Sequence, residues 1–337
     1  MVNVAIINDT RSTSHYGCMM VMNNLIKHLN SLGVNVLWTW PVSVDWRKHR
    51  KEIMRKPNVD AFIINGEGTI HNNSKRRFSQ ALVDFIGYAS DQKKPCYLIN
   101  ATLHNNCNDA YETISKARAV YVRDSGSLSE LKKYGVLAKY VPDLTFGRKF
   151  SEMDRSCAEG IAVVDSAIKE DSLWLENFAM ANDYDFRSMV VARPSNARFL
   201  RSPRPYIKNL YRYVLKDRKV SLDPNEYLLW LESHKFIVSG RYHTVTMCLK
   251  NRIPFVCLES NTPKVKFLLN DVFSHSNRSI CYTDIYGAVN SEKFTSFSED
   301  ELECIDRFTN LAESEISKMF ESILNDISNG VVGEFKY

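Results

Sequence analysis

No apolar run in this chain approaches the ~18–20 residues that a membrane-spanning helix needs, so the chain is not expected to cross a bilayer. Val2-Asn3-Val4-Ala5-Ile6-Ile7 directly follows the first methionine and reads as a strand, which leaves no room for the basic and apolar regions of a secretory leader. Paired cysteines at C-x-x-C spacing are missing. The eight present (Cys18, Cys96, Cys107, Cys157, Cys248, Cys257, Cys281, Cys304) are scattered, several within apolar segments, as expected of reduced thiols in a cytoplasmic protein. No cluster of His, Cys and carboxylates has the spacing of a metal site. Asp183-Tyr184-Asp185 offers a D-x-D, but between a helix and a strand, where an ordinary loop is expected. A strong charge of one sign is lacking too. The net charge is +5 and the pI about 8.6, short of a nucleic-acid binder, so nucleic acid is not an expected partner.

What is present is a soluble, globular composition, 44% hydrophobic and 25% charged, in 337 residues, enough for two domains with separate cores. Short apolar strands at 4–7, 34–38, 60–64, 96–99, 119–122 and 138–141 alternate with helical patterns at 19–32, 78–90 and 125–134. After a polar lapse at 147–155 a second series begins. It has strands at 160–164, 189–192, 236–238 and 253–258, with helices at 172–182, 224–233 and 242–249. Strands separated by helices imply parallel sheets. The expected fold class is therefore α/β, with two Rossmann-like doubly wound domains facing a cleft at residues 1–150 and 151–297. A closing helix and tail at 298–337 begin with the capping box Ser298/Glu301 and return to brace the first half.

The motifs gather at strand ends. In 236–269, FIVSGRYHTVTMCLKNRIPFVCLESNTPKVKFLL, a strand, helix and strand carry Arg241, His243 and Lys264 to neighbouring strand C-termini, where open α/β sheets bind ligands. A guest with phosphate and carboxylate groups suits that rim. Asn65-Gly66-Glu67-Gly68-Thr69-Ile70-His71 sets two glycines around a carboxylate at another strand end. Glu67 and His71 could orient hydroxyls or exchange a proton there, or the stretch could be a tight turn. His15-Tyr16-Gly17-Cys18 opens a helix whose N-terminus can hold an anion or simply be capped. Arg123, with Asp124 or Ser125 as the following cap, could contact a ligand or pair with Asp143. Residues 198–219 hold Arg198, Arg201, Arg204, Lys208, Arg212, Lys216, Arg218 and Lys219 among Phe199, Tyr206, Tyr211 and Tyr213. That segment reads either as a solvated loop or as a surface for peripheral contact with anionic lipid or a pyrophosphate-linked acceptor at the inner membrane face.

At these residues the chain resembles the polysaccharide pyruvyl transferase family. The resemblance rests on 65–69, on Val122-Arg123-Asp124-Ser125 with Gly135, on Pro142-Asp143, and on Ser239-Gly240-Arg241-Tyr242-His243 with Pro254 and Lys264. It implies a glycosyltransferase-B-like two-domain fold and transfer of a pyruvyl group from phosphoenolpyruvate, as a ketal, to hydroxyls of a sugar acceptor that could be lipid-linked. The family's arginine, R-x-H histidine and downstream lysine fall on Arg123, Arg241, His243 and Lys264. The expected donor contacts are Arg123, Arg241, Lys264, Ser260, Asn261 and Thr262; the expected acceptor contacts are His15, Asn65, Gly66, Gly68 and Thr69. His243 is the expected general acid and Glu67 or His71 the base, with phosphoenolpyruvate as co-substrate and no metal or other cofactor. The turn at 65–71 and the loop Glu259-Ser260-Asn261-Thr262-Pro263-Lys264 depart from the commoner family pattern. Two further readings therefore stay open: a metal-independent glycosyltransferase using a nucleotide sugar, and a non-catalytic sugar-binding protein.

Overall fold

Two parallel sheets organise the chain. A computed structural model describes residues 1–147, 155–194 and 203–330. The first sheet has the order β2-β1-β3-β4-β5-β6, from β1 (Asn3–Asp9), β2 (Asn35–Pro41), β3 (Ala61–Glu67), β4 (Cys96–Ala101), β5 (Ala119–Val122) and β6 (Lys139–Tyr140). The second has the order β10-β9-β7-β8, from β7 (Ile161–Ser166), β8 (Asp185–Arg187), β9 (Phe236–Gly240) and β10 (Phe255–Cys257). Helices cover both faces, so central strands such as β3, β4 and β9 are buried along their whole length and read as continuous apolar runs.

One expected strand is misplaced. Met189, Val191 and Ala192 of the apolar run 189–192 are buried, but the run is not the strand; β8 lies earlier, at Asp185–Arg187, with an exposed–half-buried–exposed pattern. As an edge strand, β8 needs little apolar surface, so its sequence gives no strand signal. Asp185, from the D-x-D, begins β8, and its carboxylate accepts the indole N–H of Trp230 at 2.6 Å. The apolar run instead bridges the two halves. Tyr16 donates its N–H to Met189 O (3.1 Å), and Val191 donates to Ser14 O (2.9 Å). Tyr16 also stacks on Tyr227 at 4.4 Å and donates its hydroxyl to Ser221 O at 2.6 Å. The first helix (Tyr16–Ser31) is thereby docked against the second half.

The closing helix, Glu299–Ser328, starts at the Ser298/Glu301 capping box and buries Ile305, Phe308, Ala312, Ile316, Met319, Phe320 and Ile323. It does return to the first half. Asp326 accepts from Tyr97 Oη (2.5 Å) and from Arg118 Nε and Nη2 (2.8 and 2.6 Å). Asp326→Ala should lower stability by about 1.5–3 kcal/mol, the usual worth of hydrogen bonds to a charged group, read as a shift in urea midpoint at unchanged slope. A change below about 0.5 kcal/mol would mean that the apolar face alone holds this helix.

Candidate active site

The chemically equipped residues lie at strand C-termini of both sheets, where parallel strands leave a crevice. Thr10 follows β1, Glu67 ends β3, Arg123 follows β5 and Asp143 lies just beyond β6. From the second sheet, Asp165 lies near the end of β7, Arg241 follows β9, and the loop after β10 leads into the helix Lys264–Phe273. Two helix starts point into the same place: Tyr16–Ser31, capped by His15, and Tyr242–Lys250, with Arg241 at its cap position.

Arg123 is fully buried. Its Nη1 donates to Asp143 Oδ2 at 2.6 Å, its Nε donates to Thr102 Oγ1 at 2.9 Å, and its guanidinium lies 4.4 Å from the ring centroid of Tyr242, from the other half of the molecule. Asp143 also accepts the N–H and hydroxyl of Thr145 (2.9 and 2.7 Å). Burial pushes the Asp143 carboxyl up, but Arg123 and these donors more than offset it, so its pKa lies below the ordinary value. Arg241 is held by Asp165 through two bonds, Nε to Oδ1 at 2.9 Å and Nη2 to Oδ2 at 2.6 Å. Lys264 differs. Among the described residues it has no carboxylate partner, and its ammonium touches only Asn261 Oδ1 at 3.5 Å. Burial, followed by the charges of Arg123 and Arg241, lowers its pKa to about 8. A Cβ built on Gly68 would stand 3.4 Å from both Arg123 Nη2 and Lys264 Nζ. Cations from the two halves therefore converge over this one turn.

Beside them is a proton-bearing cluster. Buried Glu67, at φ +41°, accepts from Thr10 Oγ1 (2.6 Å), Asn65 Nδ2 (2.9 Å) and the Cys18 thiol (3.1 Å). Burial, then the Glu67 charge, holds the Cys18 pKa well above its usual value, so the thiol stays protonated. His15 accepts the Cys18 N–H through Nδ1 at 3.3 Å. Burial, then His243, Arg241 and Lys264, keep its pKa far below the normal range. The His243 ring lies 5.4 Å from that of His15, and its Nε2 is buried without a hydrogen-bond partner, 3.9 Å from Asp143 Oδ2. Burial lowers its pKa against the pull of Asp143, so the imidazole is mostly neutral at neutral pH. Among the described residues, His15, Cys18 and His243 form the group that could hold a metal, with ligand atoms within 4.8 Å of one another. The cations Lys264, Arg241 and Arg123 around it suit protons and anions better than a dication.

The sequence-expected residues divide accordingly. His15, Glu67, Gly68, Arg123, Arg241, His243 and Lys264 come together. Asn65 and Gly66 lie buried inside β3. Asn65 orients Glu67, and Gly66 must be small because a Cβ there would meet the Ala101 methyl at 2.5 Å. Thr69 Oγ1 accepts from Asn8 Nδ2 at 3.4 Å. His71 has its Nε2 taken by the Arg76 guanidinium and its Nδ1 2.9 Å from Asn72 Nδ2. Burial, then Arg76 and Lys264, lower its pKa to about 4, so the ring is neutral at neutral pH and only weakly basic. Ser260 donates to Asn261 Oδ1 at 3.2 Å, while the Thr262 hydroxyl, two residues before Lys264 in the chain, is buried without a partner among the described residues. Cys18, Thr10, Thr102, Tyr242 and Asp165 were not expected at the site. Cys18, three residues beyond a histidine at a helix start, and Tyr242, between Arg241 and His243, carried a local signal.

The sequence model of the family described as polysaccharide pyruvyl transferase matches residues 15–262. No curated protein matches the chain. Among solved structures, a Listeria monocytogenes protein described as a UDP-N-acetylglucosamine 2-epimerase superimposes with a TM-score of 0.55 at 9% identity, over 98% of this chain and 97% of that one. The UDP-GlcNAc 2-epimerase of Methanocaldococcus jannaschii, solved with UDP-GlcNAc and UDP, gives 0.50 at 12% identity, over 92% and 99%. An uncharacterised Klebsiella pneumoniae protein gives 0.51 at 9%, over 83% and 91%. At such identities the likeness is one of fold, the glycosyltransferase-B-like pair of parallel sheets.

Gly17 sets how closely His243 approaches the first helix, because an added Cβ would lie 2.2 Å from His243 Cβ. Gly17→Ala should therefore cost about 1–3 kcal/mol of stability, as overpacking does, and should shift the His243 ring resonances by NMR. An unchanged melting temperature with unchanged resonances would show that the contact is slack.

Proposed function

The chain belongs to the polysaccharide pyruvyl transferase family, and from that premise we propose that it transfers a pyruvyl group from phosphoenolpyruvate to a pair of sugar hydroxyls, as a ketal, in cell-surface polysaccharide biosynthesis. The observation that carries this reading is the meeting of Lys264 Nζ and Arg123 Nη2 over Gly68, one cation without a carboxylate partner and the other with a donor to spare. Phosphoenolpyruvate brings a carboxylate and a phosphate, which Lys264, Arg123 and the remaining Nη1 of Arg241 would clamp, with the orphan Thr262 hydroxyl as a further donor.

The protonation states redistribute the expected roles. Carbon protonation needs an acid that is charged at working pH and near it in pKa. Lys264, at about 8, meets that condition better than His243, whose pKa is lowered. Lys264 gives a proton to the methylene carbon, C2 becomes electrophilic, and an acceptor hydroxyl adds. The neutral His243, with Nε2 free and Asp143 near enough to support the imidazolium, takes the hydroxyl proton. Phosphate then leaves and the second hydroxyl closes the ketal. Of the two hydroxyl protons, one restores the acid and the other departs with phosphate. Glu67, already saturated by three donors, holds Cys18 and Thr10 in place rather than serving as the base.

Calorimetric titration tests the donor directly. Phosphoenolpyruvate should bind the wild type, and Lys264→Ala should weaken it by about 10–100-fold, the worth of a charge-assisted bond. Binding of UDP-sugars in its place would favour the glycosyltransferase reading.

Because both clamp and acid need the protonated amine, kcat/KM should fall as pH rises through about 8. Because the base is neutral His243, it should also fall in acid as that imidazole protonates, below the ordinary histidine range. Lys264→Arg should keep donor affinity within about tenfold, lose ~10²–10⁴ in kcat and abolish that alkaline limb. A limb that persists in the arginine variant would assign the acid elsewhere.

A further inference from the structure

The basic segment beyond the second sheet is helical where it is described. Pro203–Arg212 is an α-helix that continues as a π-helical turn at Tyr213–Asp217; Arg198, Phe199 and Arg201 lie outside the described residues. Its inner side is tied down. Asn209 Nδ2 donates to Arg193 O (2.8 Å), Arg212 donates to Val190 O and pairs with Asp217 (3.1 Å), and Asp217 accepts the Ala192 N–H (2.5 Å). The outer side is apolar and bare: Ile207, Tyr211, Val214 and Leu215 are 60, 68, 53 and 60% exposed. Their spacing of i, i+4, i+7 and i+8 puts them on one stripe. Exposed Arg204, Lys208, Arg218 and Lys219 flank it, and none of the four has a carboxylate partner among the described residues.

We propose that residues 203–219 form an interfacial helix that lays Ile207, Tyr211, Val214 and Leu215 into an anionic lipid surface while the four flanking cations meet its headgroups. A helix fixed on one side to the protein, with an apolar stripe bordered by lysine and arginine on the other, is the pattern of monotopic membrane attachment. Among the described residues no helix is long and apolar enough to cross a membrane. A second copy of the chain is a poorer occupant, because a two-fold contact through this stripe would bring the like cations of both copies together. The segment that holds the helix, Val190–Ala192, is continuous with the residues bonded to Ser14 and Tyr16 on either side of His15. Docking would thus set the bilayer beside the mouth of the site, within reach of a sugar carried on a lipid. The proposal does not depend on which donor the site takes.

Co-sedimentation of the full chain with phosphatidylcholine vesicles, and with phosphatidylcholine–phosphatidylglycerol vesicles, tests it. The wild type should pellet with the anionic vesicles at low salt and not with the neutral ones. Each cation replaced by serine among Arg204, Lys208, Arg218 and Lys219 should weaken binding ~fivefold. The double variant Ile207→Ser/Leu215→Ser, with all charges kept, should weaken it by ~tenfold or more. Both sets lie on an exposed face, and circular dichroism should show them folded. Failure of the wild type to pellet at low salt would overturn the proposal, as would unchanged binding of the serine double variant. Sedimentation velocity showing a dimer that the double variant dissolves would overturn it too, by giving the stripe to a second copy.

Discussion

The site is organised around one buried ion pair, Arg123 with Asp143, which are 1% and 0% exposed at their side chains. Two charges in so dry a place are tolerated only because most of their polar atoms are matched. Thr102 takes the Nε–H, the Tyr242 ring lies against the guanidinium face, and Thr145 fills the carboxylate, which leaves Nη2 over Gly68. The pair joins the ends of β5 and β6, and through Tyr242 it fixes the start of a helix from the other half. Removing one partner would leave an uncompensated charge at the junction of both sheets, a cost of roughly 3–5 kcal/mol.

With Arg123 paired to Asp143, and Arg241 to Asp165, Lys264 is the site cation that has no carboxylate within ion-pair distance among the described residues. Its amine sits close to two guanidiniums and is partly desolvated, so it gives up its proton more easily than a surface lysine. An incoming anion would relieve that repulsion and stabilise the charge. The same arrangement that lowers the lysine pKa would, in the proposed reading, also favour a bound anion. On the other wall, burial keeps His15 and His243 mostly neutral and Cys18 protonated, so the cluster holds protons close to where a reacting carbon and hydroxyl would meet.

Much of this was legible in the sequence because it follows strand ends. The apolar runs located the central strands, and the next few residues in each case, Glu67, Arg123, Asp143 and Arg241, were where parallel strands expose chemistry. The possible Arg123–Asp143 pair was visible as two charges after adjacent strands. What could not be read were partners brought together by the fold: Asp165 beneath Arg241, Cys18 against Glu67, and Tyr242 under Arg123. No local spacing encodes such contacts. β8 escaped because an edge strand can be polar, and Met189–Ala192 mimicked a strand because burial between two halves demands apolar residues just as a sheet does. The sequence likewise does not show that Arg76 lies against the His71 ring.

The central claim is that the meeting of Lys264 and Arg123 over Gly68 is an anion clamp for a three-carbon phosphorylated acid. A crystal structure of the protein with phosphoenolpyruvate tests it most directly. The account predicts carboxylate or phosphate oxygens within hydrogen-bond reach of Lys264 Nζ and Arg123 Nη2, with the methylene carbon towards Lys264 and the C2 face towards His243. Density for the ligand elsewhere, or a nucleotide sugar occupying the cleft with its diphosphate on these cations while phosphoenolpyruvate leaves them bare, would contradict it.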